Sequence, residues 1–438
     1  MRILITNNTL DGRGGTELYV RDVATALLRR GITPIAYSTV LGEVAQELRT
    51  ATVPVIDRLD ALATPPDLIH GHHHLETMTA LLHFPGVPAI YFCHGWLPWE
   101  EAPPTFPRIL RYVAVDETCS DRLRHEHAIA EDRIRLLLNF VDLNRFKPRH
   151  PLPDRPRRAL VLSNYVTEQR GLAAIREACA RDGIKLDAIG ASIGNPTNRP
   201  EQVLHGYDLI FAKGRAALEA LSVGAAVVLF DAAGVGSMVT TANVEKLRLL
   251  NFGVRTLQNP VEIEVLKQEI GRYNAADAMQ VSSWVRQTAG LDDALDHLLA
   301  LYDDVLGEYR RNPVSDNLAE LRAASDYLRR WIPNLTLQQR ARAQHEALTI
   351  EHKRLRAECE YLREQRQDRQ AECDSLKYHL DSVRREHENL QIERDNLRCD
   401  LDRIYGSPTL RLRNRLIGMP LVGQVLRSCV RLIAGRVN

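Results

Sequence analysis

Two α/β halves, each on a parallel sheet, followed by a long C-terminal helix: this is the fold class the sequence predicts. Three patterns point to it. Short, wholly apolar runs alternate with helical patterns over the first three hundred or so residues, as in strands covered on both faces. A Pro-rich, basic stretch, Lys147–Pro156, divides that region near its middle. From about residue 345, apolar residues recur every seventh position.

The first half, residues 1–150, opens with a buried strand at Ile3–Thr6. Thr16–Arg30 follows as an amphipathic helix with Leu18, Val23, Ala26 and Leu27 on one face, and Gly31 stops it. Further strands are expected at 34–38, 68–70, 89–92 and 112–115. The second half, 151–335, repeats the pattern: strand 159–162, helix 171–181, strand 186–189, strand 209–211, helix from 214, and strand 227–230. Its trailing helices, from about 260, are expected to pack on that half or lead away from it. Two such halves face a cleft, and ligands of parallel sheets bind at the carboxyl ends of the strands.

Beyond 340 the composition turns to Arg, Glu, Gln, Asp and Leu. Leu348, Leu355, Leu362, Leu376, Val383, Leu390, Leu397 and Ile404 share one heptad position, while the companion position is mixed. A coiled coil of roughly 60 residues within 340–405, about 90 Å long at 1.5 Å per residue, is expected, through which the chain oligomerises or meets a partner helix. A solvated single helix is the competing reading. The tail, 406–438, carries six arginines and no acidic residue among interleaved apolar residues. Such a segment suits an anionic bilayer surface or a protein partner.

The totals restrict the function. A chain of 438 residues with 45% hydrophobic content suggests two or three domains with ample core. A net charge of +1 argues against a general nucleic-acid binder. Seven cysteines without a C-x-x-C pair indicate neither a zinc site nor a disulfide framework, and fit a reducing cytoplasm. The N-terminus does not read as a signal peptide, and no 18-residue apolar run is expected to span a membrane.

The candidate site centres on Tyr207–Asp231. Lys213, Gly214 and Arg215 stand where a helix begins, with unpaired N–H groups and a positive dipole end suited to a phosphate. Glu219, one turn on, can accept sugar or ribose hydroxyls. The same spacing also suits a plain i,i+4 pair with Arg215. The loop 9–17 contains Gly14 and Gly15 and can approach an anion; it also reads as an ordinary βα turn capped by Thr16. His70, His72, His73 and His74 end one strand, but consecutive residues rarely converge on one metal, and no metal site is expected. His94, after the next strand, points to a role at a sugar hydroxyl or to a structural one.

These passages together resemble the GT-B glycosyltransferases, and within them glycosyltransferase family 4, over about residues 1–305. The similarity is carried by the opening strand with its Gly-Gly-x-Glu loop, Asp67–His72, His94-Gly95, Asn139–Phe146 and the helix Lys213–Gly224. It implies two Rossmann-like domains and a UDP- or GDP-sugar donor with no tightly bound cofactor. It also implies a glycan or lipid-linked acceptor, retention of anomeric configuration and no metal. Carried over, Gly14, Gly15, Asn164, Arg170, Lys213, Gly214, Arg215 and Glu219 would hold the donor, with His94 and Glu219 catalytic. A role in bacterial cell-surface polysaccharide synthesis, in the cytoplasm or on the inner membrane face, is the expectation. The chain departs from the family at three places: Asn164 stands near an expected Arg, Phe211 where a carboxylate is usual, and Phe140 where Gly is usual. These departures keep a second reading open, a glycosyltransferase-like scaffold that binds ligand and organises other enzymes through its coil. A sugar-nucleotide epimerase of related fold is a weaker third.

Overall fold

The computed structural model describes residues 1–314 and 316–419. It divides into two compact units, 1–331 and 332 onward. The first holds two sheets. In its N-terminal half the strands are β1 (Arg2–Thr6), β2 (Thr33–Tyr37), β3 (Val55–Ile56), β4 (Leu68–His72), β5 (Ala89–Cys93), β6 (Ile109–Ala114) and β7 (Ile134–Leu136). They form one parallel sheet in the order β3-β2-β1-β4-β5-β6-β7. Helices α1 (Gly15–Arg29), α2 (Glu43–Thr50), α3 (His74–His83) and α4 (Glu117–Asp121) connect them. Ile3, Leu4 and Ile5 are fully buried, as a strand covered on both faces requires.

The C-terminal half has β8 (Arg158–Leu162), β9 (Lys185–Ile189), β10 (Leu209–Ala212), β11 (Ala226–Asp231) and β12 (Gly234–Met238), ordered β12-β11-β10-β8-β9. Only β12 runs antiparallel. Its helices are α5 (Leu172–Arg181), α6 (Pro200–Val203), α7 (Gly214–Val223), α8 (Val244–Leu249), α9 (Ile263–Ile270) and α10 (Ala275–Thr288). Separate apolar clusters, centred on Leu218 and Phe211, cover the two faces of this sheet.

Three strands escaped the sequence reading. β3 and β7 have two and three residues, too few for a period to show. β12 contains Gly234 and Gly236, which dilute its apolar pattern.

Of the trailing helices, α9 and α10 pack on the C-terminal half through Leu266, Ile270, Val281 and Val285, while α11 (Leu291–Arg311) leads away from it and packs on the N-terminal core through Leu295, Leu298, Tyr302 and Val305. The start of α12 (Asn317–Tyr405) joins it there: Glu320 pairs with Arg108, and Trp331 is buried, stacked on His74. The reason is chemical. The N-terminal sheet leaves His70, His74 and Arg108 needing partners, and Tyr302, Tyr327 and Glu320 supply them. α12 continues unbroken past 340, with Pro333 inside it just beyond the unit boundary. In the second unit it is solvent-exposed, and a short α13 (Pro408–Gly418) follows. Most of the expected basic tail, 420–438, lies outside the described residues. Among the described residues no helix is long and apolar enough to cross a membrane.

Arg108 is 1% exposed and donates to the carbonyl oxygens of Leu81, Phe84 and Val87 as well as to Glu320. Arg108→Ala orphans all four acceptors, and a loss of roughly 3 kcal/mol is expected in urea unfolding. Glu320→Ala should cost less, because its side chain is 18% exposed.

Candidate active site

The two sheets present their carboxyl ends to a common cleft. β8 delivers Ser163 and Asn164, β10 delivers Lys213, and β5 delivers His94. A cavity of about 540 Å³ lies between the halves, within the size range of small-molecule sites. Gly14 and Gly15 line it from the N-terminal half; Asn164, Lys213, Arg215 and Glu219 line it from the other.

The N-termini of α1 and α7 enter this cavity from opposite sides. Neither N-cap residue, Gly14 or Lys213, makes a side-chain cap, so first-turn N–H groups stay open. Thr16 is therefore not the cap; its hydroxyl bonds Glu17 instead. A Cβ at Gly15 would meet nothing within 4 Å, so the fold itself does not demand glycine there. Gly214 differs. Its φ of +57° needs glycine, and its N–H is committed to the Phe252 carbonyl at 2.8 Å. Gly214 thus shapes the turn, leaving the N–H groups of Arg215 and Ala216 for an anion.

Lys213 is gripped by the buried Asp231, which also accepts a hydrogen bond from Ser163 at 2.9 Å. Its ammonium lies 5.2 Å from the Tyr165 ring centre. Arg215 is bound on both sides. Its Nε donates to Glu219 Oε1 at 2.8 Å, and Nη2 reaches Asp22 of α1 across the cleft. Burial opposes the Arg215 charge, yet Asp22 and Glu219 outweigh it and raise its pKa. Asp22 is likewise penalised by burial, but Arg215, Arg21 and Arg145 hold its carboxyl below the ordinary range. The i,i+4 pair of Arg215 and Glu219 therefore forms; Glu219 lines the cavity, and its Oε2 has no hydrogen-bond partner among the described residues.

Two expected donor ligands fare differently. Asn164 lines the cavity, but its amide oxygen accepts from Ala191 N at 3.0 Å and holds the neighbouring loop. Arg170 sits in the exposed turn before α5 and lines neither cleft cavity. Its N–H closes that turn onto the Thr167 carbonyl at 2.9 Å.

An adjoining cavity of about 490 Å³ shares Gly15, Tyr165 and Arg215 with the first, and His94 lines it. His94 Nε2 and His72 Nδ1 are 2.7 Å apart, and the Tyr19 and Phe92 rings pack on the imidazole. Burial drives the His94 pKa down to about 3, so the ring is neutral near pH 7. The four-histidine run does not converge. His70 meets Tyr302, His72 meets His94, His73 faces Glu101 at 3.6 Å, and His74 meets Tyr327 at 2.7 Å.

Glu101 is a site residue that sequence reasoning missed. It is 4% exposed, lines the His94 cavity and accepts the His94 backbone N–H at 2.9 Å. Burial pushes its carboxyl up to about 7, with the His94 N–H and Arg122 partly offsetting this and Glu100 and Glu17 adding to it. Its only signal was the acidic pair Glu100-Glu101 beside two tryptophans seven residues after His94-Gly95.

Residues 13–145 match the family model Glycosyltransferase Family 4. A glycosyltransferase from Rickettsia africae ESF-5 superposes with a TM-score of 0.52 at 16% identity, over 70% of this chain and 98% of that one. Anabaena Alr3699/HepE, in complex with UDP and glucose, gives 0.51 at 15% identity, over 69% and 99%. The fold is that of the GT-B glycosyltransferases. No curated protein sequence matches the chain.

The Glu101 environment makes a pH prediction. Folded Glu101 keeps its proton to about pH 7, while unfolded Glu101 releases it near the ordinary 4.5. The folded state binds the extra proton between these values, so stability falls as pH rises through that window. The full loss is roughly 3 kcal/mol. Glu101→Gln should flatten this slope in urea melts at pH 5 and pH 8; parallel wild-type and variant curves would contradict the assignment.

Proposed function

We propose that this GT-B chain transfers a hexose from a nucleoside-diphosphate sugar to a glycan acceptor. The observation that carries the reading is the convergence of two uncapped helix N-termini, Lys213 and the free Oε2 of Glu219 on one cleft cavity. The donor diphosphate lies between the ends of α1 and α7. Lys213, oriented by Asp231, meets the charge that grows on the leaving diphosphate. Glu219 takes the ribose hydroxyls, and neutral His94 hydrogen-bonds the transferred sugar from the adjoining cavity. The Family 4 match and the UDP and glucose held by the Anabaena relative support this choice of donor. UDP- and GDP-sugars both fit the argument. Retention, a lipid-linked acceptor in bacterial surface-polysaccharide synthesis, and a cytoplasmic or inner-membrane-face location complete the proposal.

One observation favours a second reading, a catalytically weak scaffold. Phe211, at the position of a usual family carboxylate, is fully buried against Phe230, so no acid reaches the cavity from there.

Thermal-shift titration with UDP, GDP and their sugars tests binding. Lys213→Ala should weaken nucleotide affinity about tenfold or more, the scale of a charge-assisted contact. Glu219→Ala should lower both affinity and turnover; if neither variant changes either quantity, the site assignment fails. Nucleotide binding without transfer would favour the scaffold. Gly15→Ala should leave the melting temperature of the free protein intact while weakening nucleotide binding, because its methyl meets only the cavity. For the membrane-face proposal, deletion of 406–438 should abolish flotation with anionic liposomes; equal partition refutes it.

A further inference from the structure

We infer that α12 forms a parallel, in-register, two-stranded coiled coil with a second copy of this chain. This proposal does not depend on the donor site. From Asn334 to Tyr405 the helix has neither Pro nor Gly. One heptad position, d, is apolar except at Arg369: it is held by Leu348, Leu355, Leu362, Leu376, Val383, Leu390, Leu397 and Ile404. These side chains are between 50% and 69% exposed in the single chain, an apolar stripe with nothing on it.

The flanking charges identify the occupant. Position g, just before each a, is mostly acidic: Glu351, Glu358, Glu372, Glu386, Glu393 and Asp400. Position e, just after each d, is mostly basic: Arg356, Arg363, Lys377, Arg384 and Arg398. In a parallel pair, each g faces the e five residues later on the other strand. A second copy in register then matches Glu351 with Arg356, Glu358 with Arg363, Glu372 with Lys377, and Glu393 with Arg398, in both directions. An antiparallel copy faces g with g and e with e. That sets acid against acid and base against base, which is destabilising. The segregation of acid to one flank and base to the other therefore selects a parallel self-pair.

The a positions choose the strand number. His352, Arg366, His387 and Arg394 alternate there with Cys359, Cys373, Leu380 and Leu401. Long polar a residues can extend their heads to solvent past the flanks of a two-stranded coil, while additional strands would enclose them. They also pin the register. In that register Cys359 and Cys373 each face their own copy across the seam, whereas Cys399, at f, faces outward; all three are free and exposed in the single chain.

Light scattering on the full chain should give about twice its 49.5 kDa mass. Variants keeping only Cys359 in the helix should cross-link rapidly under mild oxidation, and those keeping only Cys399 at least tenfold more slowly. Reversing the g set (Glu351→Arg, Glu358→Arg, Glu372→Arg and Glu393→Arg) should weaken self-association at least tenfold. Adding Arg356→Glu, Arg363→Glu, Lys377→Glu and Arg398→Glu should restore it. A monomeric full chain at tens of micromolar, a trimeric mass, equal cross-linking at 359 and 399, or reversal without effect would each overturn the proposal. Assembly only with a different protein would do the same. The cross-linking comparison stands even where a charge-reversed variant fails to fold.

Discussion

The cleft is held together by one buried ionic cluster. Asp22 on α1 and Glu219 on α7 both grip Arg215, with Arg21 and Arg145 completing the charge balance on Asp22. Asp22 and Glu219 are each 6% exposed, so these charges have largely left water. Such clusters add little net stability but are costly to break one partner at a time. Their structural consequence is positional. α1 and α7 come from different halves, and the cluster ties the middle of α1, at Asp22, to the first two turns of α7, at Arg215 and Glu219. The spacing of the two anion-facing N-termini therefore depends on it. Arg255 with Asp121, and Arg13 with Asn198, add further links across the same cleft.

Burial also sets the protonation chemistry on the other side of the cleft. The same apolar wall of Tyr19, Phe92 and Phe140 that orients His94 withdraws solvent from it. Cations lose by this, and His73, His74 and His94 all fall well below the ordinary imidazole value. Anions lose too, and Glu101 keeps its proton into the neutral range. The site thus pairs hydrogen-bonding rings that stay neutral with a carboxyl near its titration point, a division produced by desolvation more than by neighbouring charge.

Much of this was legible in the chain. Parallel strands buried on both faces leave continuous apolar runs, so nine of the twelve strands and the helices opening at Gly15, Leu172 and Gly214 could be read directly. Glycines and cations at strand ends pointed to the cleft cavity that Gly14, Gly15, Lys213 and Arg215 line. What stayed hidden depends on distance in sequence. That Arg215 pairs with Asp22, 193 residues away, is not a local pattern. Nor is the return of α11 to the first core, where Tyr302 meets His70 and Leu295, Leu298 and Val305 join the apolar cluster. Glu101 was obscure for the same reason: its perturbation comes from burial that only the folded loop creates. Arg170 differs: a local match singled it out, yet it is exposed and lines neither cleft cavity.

Position 211 shows why the departure from the family pattern is structural as well as chemical. Phe211 precedes the last residue of β10, and its ring belongs to the cluster beneath the sheet, edge-on to Phe230. A carboxylate in that place would be buried without a partner, at a cost of several kcal/mol. Between β10 and α7 only Lys213 intervenes, so this connection has no other position from which an acid could reach the cavity. Any carboxylate serving the sugar must therefore come from elsewhere in the cleft. The adjoining cavity has Glu100 and Glu101, on the half opposite α7 and beside His94. Under the proposed transfer, the second half would supply the cationic grip on the leaving diphosphate, and the first half the polar groups that meet the sugar.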